Sequence, residues 1–111
     1  MANLPKITSL ASEASTKLSY DNHPIAQVND HVVRISVMTS PYYWHSHPNS
    51  DETFLVVDGR LKIEFENGSL ELGPGQMVSV PKGLRHRTSP VGARCVSLTF
   101  ELDKAETVAA D

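Results

Sequence analysis

Only one cysteine, Cys95, occurs among the 111 residues. That excludes an intramolecular disulfide and a thiolate zinc knuckle, and it fits a reducing cytoplasm. Long apolar runs are missing as well. The longest is Phe54-Leu55-Val56-Val57, far short of the ~20 residues that span a bilayer. Met1 to Lys6 lack a charged region followed by an apolar one, so no signal peptide is read. Neither sign of charge dominates: 10 Lys and Arg stand against 13 Asp and Glu, for a net charge of −3. The basic residues are scattered singly, which argues against nucleic acid or an anionic membrane as partner. No repeat, linker or low-complexity block interrupts the chain. What remains is an ordinary globular composition, 40% hydrophobic and 21% charged, in a single domain long enough to hide roughly two-thirds of its unfolded surface.

The first 23 residues read differently from the rest. Between Lys6 and Leu18, Ile7, Leu10, Ala11, Ala14 and Leu18 recur at helical spacing, which predicts one short helix packed against a sheet. From Pro24 onward the period is two. Val33, Ile35 and Val37 alternate with Arg34 and Ser36; Leu61, Ile63 and Phe65 alternate with charged residues; Val96, Leu98 and Phe100 alternate with Ser97 and Thr99. Asp58-Gly59 and Asn67-Gly68 are hairpin-turn pairs, and Gly73-Pro74-Gly75 and Pro81-Lys82-Gly83 are further breaks. About eight to ten short strands without intervening helices predict an all-β barrel or jelly roll over residues 24–102. Residues 103–111 read as a flexible tail. Apolar positions are expected inside and Arg34, Arg60, Lys62 and Arg87 on solvated outer faces.

The segment Trp44-His45-Ser46-His47-Pro48-Asn49-Ser50-Asp51-Glu52 carries the chemistry. His45 and His47 are two apart in a strand, so both imidazoles leave one face about 7 Å apart. Pro48 to Asp51 is a turn by composition, and Glu52 begins a returning strand. A third imidazole, His86, follows the Pro81-Lys82-Gly83 turn. Three imidazoles and a carboxylate suit one divalent iron, manganese, nickel, cobalt or zinc ion. Four protein ligands on a six-coordinate ion leave two positions for water or substrate.

These residues resemble the two cupin motifs. His45, His47, Glu52 and Gly59 fill the first, and Gly75, Pro81, Gly83 and His86 fill the second. Eight fixed positions match by chance on the order of once in a billion. Thr39 stands where a glycine often opens the first motif, and Pro90 where an asparagine often closes the second; neither is a ligand position. The resemblance implies a double-stranded β-helix (jelly-roll) barrel with a metal at one end, and a homodimer formed through outer sheet faces. Small cupins of this kind are often labelled relatives of mannose-6-phosphate isomerase, but fold and metal set do not fix a reaction.

Asp51 competes with Glu52 as the carboxylate ligand; the longer arm of Glu52 and its register with Phe54 and Val56 favour it. Tyr43, two before His45, is placed by parity on the ligand face, either as a catalytic phenol near the metal or as a plug at the barrel mouth. Tyr42 and Trp44 then face outward, as cover for the helix or a dimer contact. His23, His31 and Cys95 read as structural, and Phe54, Val56, Met77, Leu98 and Phe100 as barrel filling. An apolar pocket around Tyr43 and Phe54, with no inward Arg or Lys, suits a small oxygen-donor ligand such as an enol, hydroxy-ketone or phenol rather than a sugar phosphate. With no acid or base placed inside apart from the ligands and Tyr43, dioxygenase-like chemistry ranks above isomerase or lyase chemistry. A non-catalytic metal or ligand-binding module is the alternative of another class.

Overall fold

A computed structural model describes residues 4–15 and 17–110. One helix, α1 (Leu10–Ser15), precedes ten strands: β1 (Asp21–Val28), β2 (His31–Met38), β3 (His45–Ser46), β4 (Glu52–Asp58), β5 (Leu61–Phe65), β6 (Gly68–Leu72), β7 (Met77–Val80), β8 (Arg87–Pro90), β9 (Cys95–Leu102) and β10 (Val108–Ala109). Five strands form one sheet in the order β1-β2-β9-β4-β7, three form a second in the order β6-β5-β8, and β10 pairs with β3. The architecture is a jelly roll of facing sheets rather than one continuously bonded barrel. The helix is shorter than the sequence periodicity predicts, because Ile7 and Leu18 remain 92% and 91% exposed and give its ends nothing to bury. Among the described residues no helix is long and apolar enough to cross a membrane.

Two apolar clusters hold the sheets, one on each side of the five-stranded sheet. The inner one joins Phe54 and Val56 of β4 to Leu61 and Ile63 of β5 and to Leu72 of β6. The outer one packs Val33, Ile35, Val37, Val96 and Leu98 under Ala14 and Leu10 of α1. This reverses the expected facing of β2 and β9. Val33, Ile35, Val37, Val96 and Leu98 point out beneath the helix, and Arg34, Ser36, Ser97 and Thr99 point into the barrel. Leu98 and Phe100 therefore cover the outside rather than fill the inside. Met77, also expected in the filling, is 62% exposed. Strand β4 has apolar residues on both faces along most of its length, whereas β2 and β9 reach the inner cluster only through Met38 and Cys95 at their ends.

Gly59 has a specific steric reason to be glycine. Its φ is +78°, and a Cβ there would lie 2.4 Å from the Arg94 carbonyl oxygen. The β4–β5 turn thus abuts the chain entering β9 at a distance no side chain permits.

Residues 103–110, expected as part of a flexible tail over 103–111, lie against the mouth of the barrel, and Asp111 lies outside the described residues. Val108 and Ala109 pair with Ser46 and His45. Asn49 brackets the approach: its Nδ2 donates to the Lys104 carbonyl (3.0 Å), and its Oδ1 accepts from the Glu106 amide (2.7 Å). Period-two reasoning does not see such a strap, because its strand is two residues long.

Candidate metal centre

His45 enters the site from β3 and His86 from the segment just before β8. The two residues exchange both backbone hydrogen bonds, His45 N to His86 O at 3.0 Å and His86 N to His45 O at 2.9 Å. Glu52 opens β4 with its side chain inward, in phase with Phe54 and Val56. His47 follows β3 directly. All four residues are buried, and each offers one ligand atom within 4.8 Å of the other three. Ligands at ~2.1 Å on opposite sides of an ion would stand about 4.2 Å apart, so a small contraction closes the group.

The imidazoles are oriented by the backbone. His45 Nδ1 donates to the Tyr43 carbonyl (2.8 Å), His47 Nδ1 to the Glu106 carbonyl (2.9 Å) and His86 Nδ1 to the Leu84 carbonyl (2.8 Å). A carbonyl only accepts, so each Nδ1 carries a proton and each neutral ring presents a bare Nε2. Outer hydrogen bonds of this kind fix the tautomer of a metal-binding histidine. Glu52 Oε1 lies 3.1 Å from His47 Nε2 and 3.3 Å from His86 Nε2. The carboxylate is out of line with the His47 nitrogen, which is buried without a hydrogen bond among the described residues. An oxygen facing two bare nitrogens is repulsive unless a cation, proton or metal, lies between them. The residues therefore fit a divalent ion by tautomer, spacing and charge.

In the metal-free group a proton takes that place. Contact with Glu52 outweighs burial and raises His47 to about 9. Burial works against the charged Glu52, but the His47 and His86 rings outweigh it and hold the carboxyl at about 2. Burial pushes His45 down, and the Tyr43 carbonyl only partly compensates.

The group opens onto a cavity of about 440 Å³ whose lining differs from the expected apolar pocket. Val32, Met38, Phe54 and Leu61 supply apolar surface, while Asn22, Arg34, Ser36, Ser97, Thr99 and Glu101 make the wall provided by β1, β2 and β9 polar. Glu101 is raised by burial and by Glu52, against the opposing pull of His47 and Arg34.

Tyr43 does not line the cavity; it sits at the rim, 47% exposed. Tyr42 lines it instead, with its ring edge-on to His45 at 5.2 Å, and its hydroxyl donates to that of Tyr43 (3.2 Å). Residues 41–44 are not strand, so alternation cannot be counted back from His45 to Tyr43. Trp44 covers neither the helix nor the cavity. It lies beneath the guanidinium groups of Arg85 (4.1 Å) and Arg87 (5.2 Å). Asp51 is turned away from the imidazoles, and its Oδ1 accepts from the Lys82 amide (2.9 Å). His23 lies outside the group, between Asp21 and Glu13. Sequence reasoning missed Arg34, Glu101 and Tyr42; the signal for the first two was the apolar outer alternation of β2 and β9, which required a cover.

The family model for the cupin domain (Cupin_2) matches residues 32–99, a span that includes both histidine segments. The chain belongs to the cupin family. The uncharacterized protein YdbB of Bacillus subtilis (strain 168) is 39% identical over 109 residues, covering 97% of this cupin and 94% of YdbB. Among solved structures, a cupin-2 domain containing protein from Shewanella frigidimarina is similar with a TM-score of 0.81 at 26% identity, over 86% of this cupin and 94% of that chain. Protein NMB1881 from Neisseria meningitidis is similar with a TM-score of 0.77 at 25% identity, over 89% of this cupin and 100% of that chain.

Proposed function

We propose that this cupin holds one divalent transition metal ion on His45, His47, Glu52 and His86 and carries out proton transfer on a small oxygen-donor substrate, in a reaction of the isomerase or lyase class. The observation behind it is that the four-residue group opens onto a cavity that also contains the carboxyl of Glu101. A bound ion would supply Lewis-acid polarisation of a substrate oxygen. Glu101, whose carboxyl is raised by burial, is the residue suited to take up and return a proton. The Tyr42 ring, packed on His45, shapes the wall beside the ligands. The sequence ranks dioxygenase-like chemistry first because, apart from the ligands and Tyr43, it places no acid or base inside. With Glu101 inside, that reason is gone.

The test begins with elemental analysis of protein purified without chelator or nickel resin, then reconstituted with each candidate ion. Metal-loaded protein is next incubated in deuterated water with hydroxy acids and hydroxy-ketones, and α-proton exchange is followed by NMR. Exchange should require metal and should be lost in Glu101→Gln while metal is retained. Oxygen uptake by the iron form without proton exchange would overturn this reading in favour of oxygen activation. Ligand-induced spectral change with neither reaction would make the protein a binding module.

We further propose a cytoplasmic homodimer. The expected basis, Tyr42 and Trp44 on an outward face, does not hold, since Tyr42 lines the cavity and Trp44 lies under Arg85 and Arg87. The surface that supports it instead is the outer side of β4 and β7, where Leu55 and Val57 are half-buried and Met77 is exposed. Light scattering reporting a monomer at micromolar concentration would remove the dimer.

A further inference from the structure

Resting on the metal-centred reading above, we propose that the substrate is a small hydroxylated monocarboxylate, with Arg34 binding its carboxylate and the hydroxyls of Ser36, Ser97 and Thr99 facing its hydroxyl groups. Among the described residues Arg34 is the one Arg or Lys that lines the cavity. A neutral partner positions it: its Nε donates to Asn22 Oδ1 (2.6 Å) and its Nη2 to the Asn22 carbonyl (3.3 Å). Arg60 and Arg87 pair with Glu71 (3.6 Å) and Glu64 (3.1 Å). Arg34 makes no ion pair among the described residues, although Glu101 is within electrostatic reach. A guanidinium fixed by an amide keeps its charge and its remaining N–H donors for a bidentate anion.

The strand register places hydroxyls beside it. Arg34 pairs with Thr99 and Ser36 with Ser97 across β2 and β9, so all four share the inward face. Thr99 is 4% exposed, and its Oγ1 has no hydrogen-bond partner among the described residues. Such a group is costly to bury unless something donates to it or accepts from it. The metal group lies across the same sheet: β9 separates β2, which carries Arg34, from β4, which carries Glu52. Two strand spacings are about 10 Å of backbone, a gap that two inward side chains and a small polyhydroxy acid can bridge. Charge selects carboxylate over phosphate. Glu52, Glu101 and Asp103 also line the cavity, so one guanidinium balances a monoanion, whereas a phosphate monoester brings close to two negative charges.

The test uses matched probes: glycerate, glycerol and glycerol 3-phosphate, then gluconate and sorbitol, titrated calorimetrically and by NMR into manganese-loaded and chelator-treated protein. Glycerate and gluconate should bind at least about tenfold more tightly than their neutral counterparts. Arg34→Gln should abolish that preference and Arg34→Lys should retain part of it, with metal stoichiometry unchanged in both. The Lys variant keeps the charge and guards against a folding defect in the Gln variant. An unchanged preference in Arg34→Gln, tighter binding of glycerol 3-phosphate than of glycerate, or no acid bound at about 10 mM would overturn the proposal. The preference is expected in the chelated protein too, so failure to bind metal at all would remove the metal-centred reading while leaving the Arg34 result to stand or fall by itself.

Discussion

His47 donates its Nδ1 proton to the carbonyl of Glu106, 2.9 Å away, so a buried imidazole of the candidate centre is aimed by the C-terminal strap. Asn49 holds that strap at Lys104 and Glu106. Asn49→Ala should release it and lower metal affinity about 10- to 100-fold, the usual cost of losing an orienting hydrogen bond behind a ligand. A metal-competition titration with a colorimetric chelator reads the change. Equal affinity in variant and wild type would show that His47 is oriented without the strap.

Metal affinity should rise with pH. In the metal-free protein His47 titrates at about 9, so below that pH an incoming ion must displace its proton. The apparent association constant should climb about tenfold per pH unit toward pH 9 and flatten above it. For stability without metal the same groups act in opposite senses. His47 is raised from 6.5 to about 9, so its contribution is full below pH 6.5 and fades as pH rises through 9. Glu52 is lowered from 4.5 to about 2, so its contribution is present above pH 4.5 and fades as pH falls toward 2. Urea titrations of chelated protein should therefore find this pair most stabilising between pH 4.5 and 6.5.

The two adjacent carboxylates should separate cleanly. Glu52→Gln keeps the shape but removes the charge that faces two imidazoles, and it should lose most of the bound metal. Asp51→Asn disturbs only an acceptor for the Lys82 amide and should retain it. Metal content after gel filtration decides between them, and the opposite order would make Asp51 the ligand.

The facing of β2 is open to a stability test. Ile35 is fully buried under the helix, whereas Ser36 faces the cavity. Ile35→Ala should cost about 2–5 kcal/mol, while Ser36→Ala should cost about 1 kcal/mol or less. Chemical denaturation measures both, and comparable losses would contradict the inversion.

Gly59→Ala should be destabilising by about 2 kcal/mol or more, since it sets an L side chain at φ +78° against the Arg94 carbonyl. A shift of the denaturation midpoint with an unchanged slope would attribute the loss to this turn.

Much of this cupin can be read along the chain because the information is local. Turn residues punctuate the strands, alternation marks them as half-buried, and the spacing of His45, His47, Glu52 and His86 specifies residue types whose convergence needs only two hairpin-like returns. Alternation does not say which face is inside. In β2 and β9 the apolar face points outward because α1 covers it, and the polar face points inward because the barrel encloses a cavity rather than a solid core. Only tertiary packing decides that choice, since either facing satisfies the same period of two. The same limit explains Tyr42 and Tyr43: outside a strand, adjacent residues have no fixed parity, and packing against the inner cluster and His45 turns Tyr42 inward. The spacing along the chain is enough to single out the four candidate residues and the strand rhythm, whereas tertiary packing sets the chemistry of the wall facing them, because a cavity lining is assembled from strands far apart in the chain.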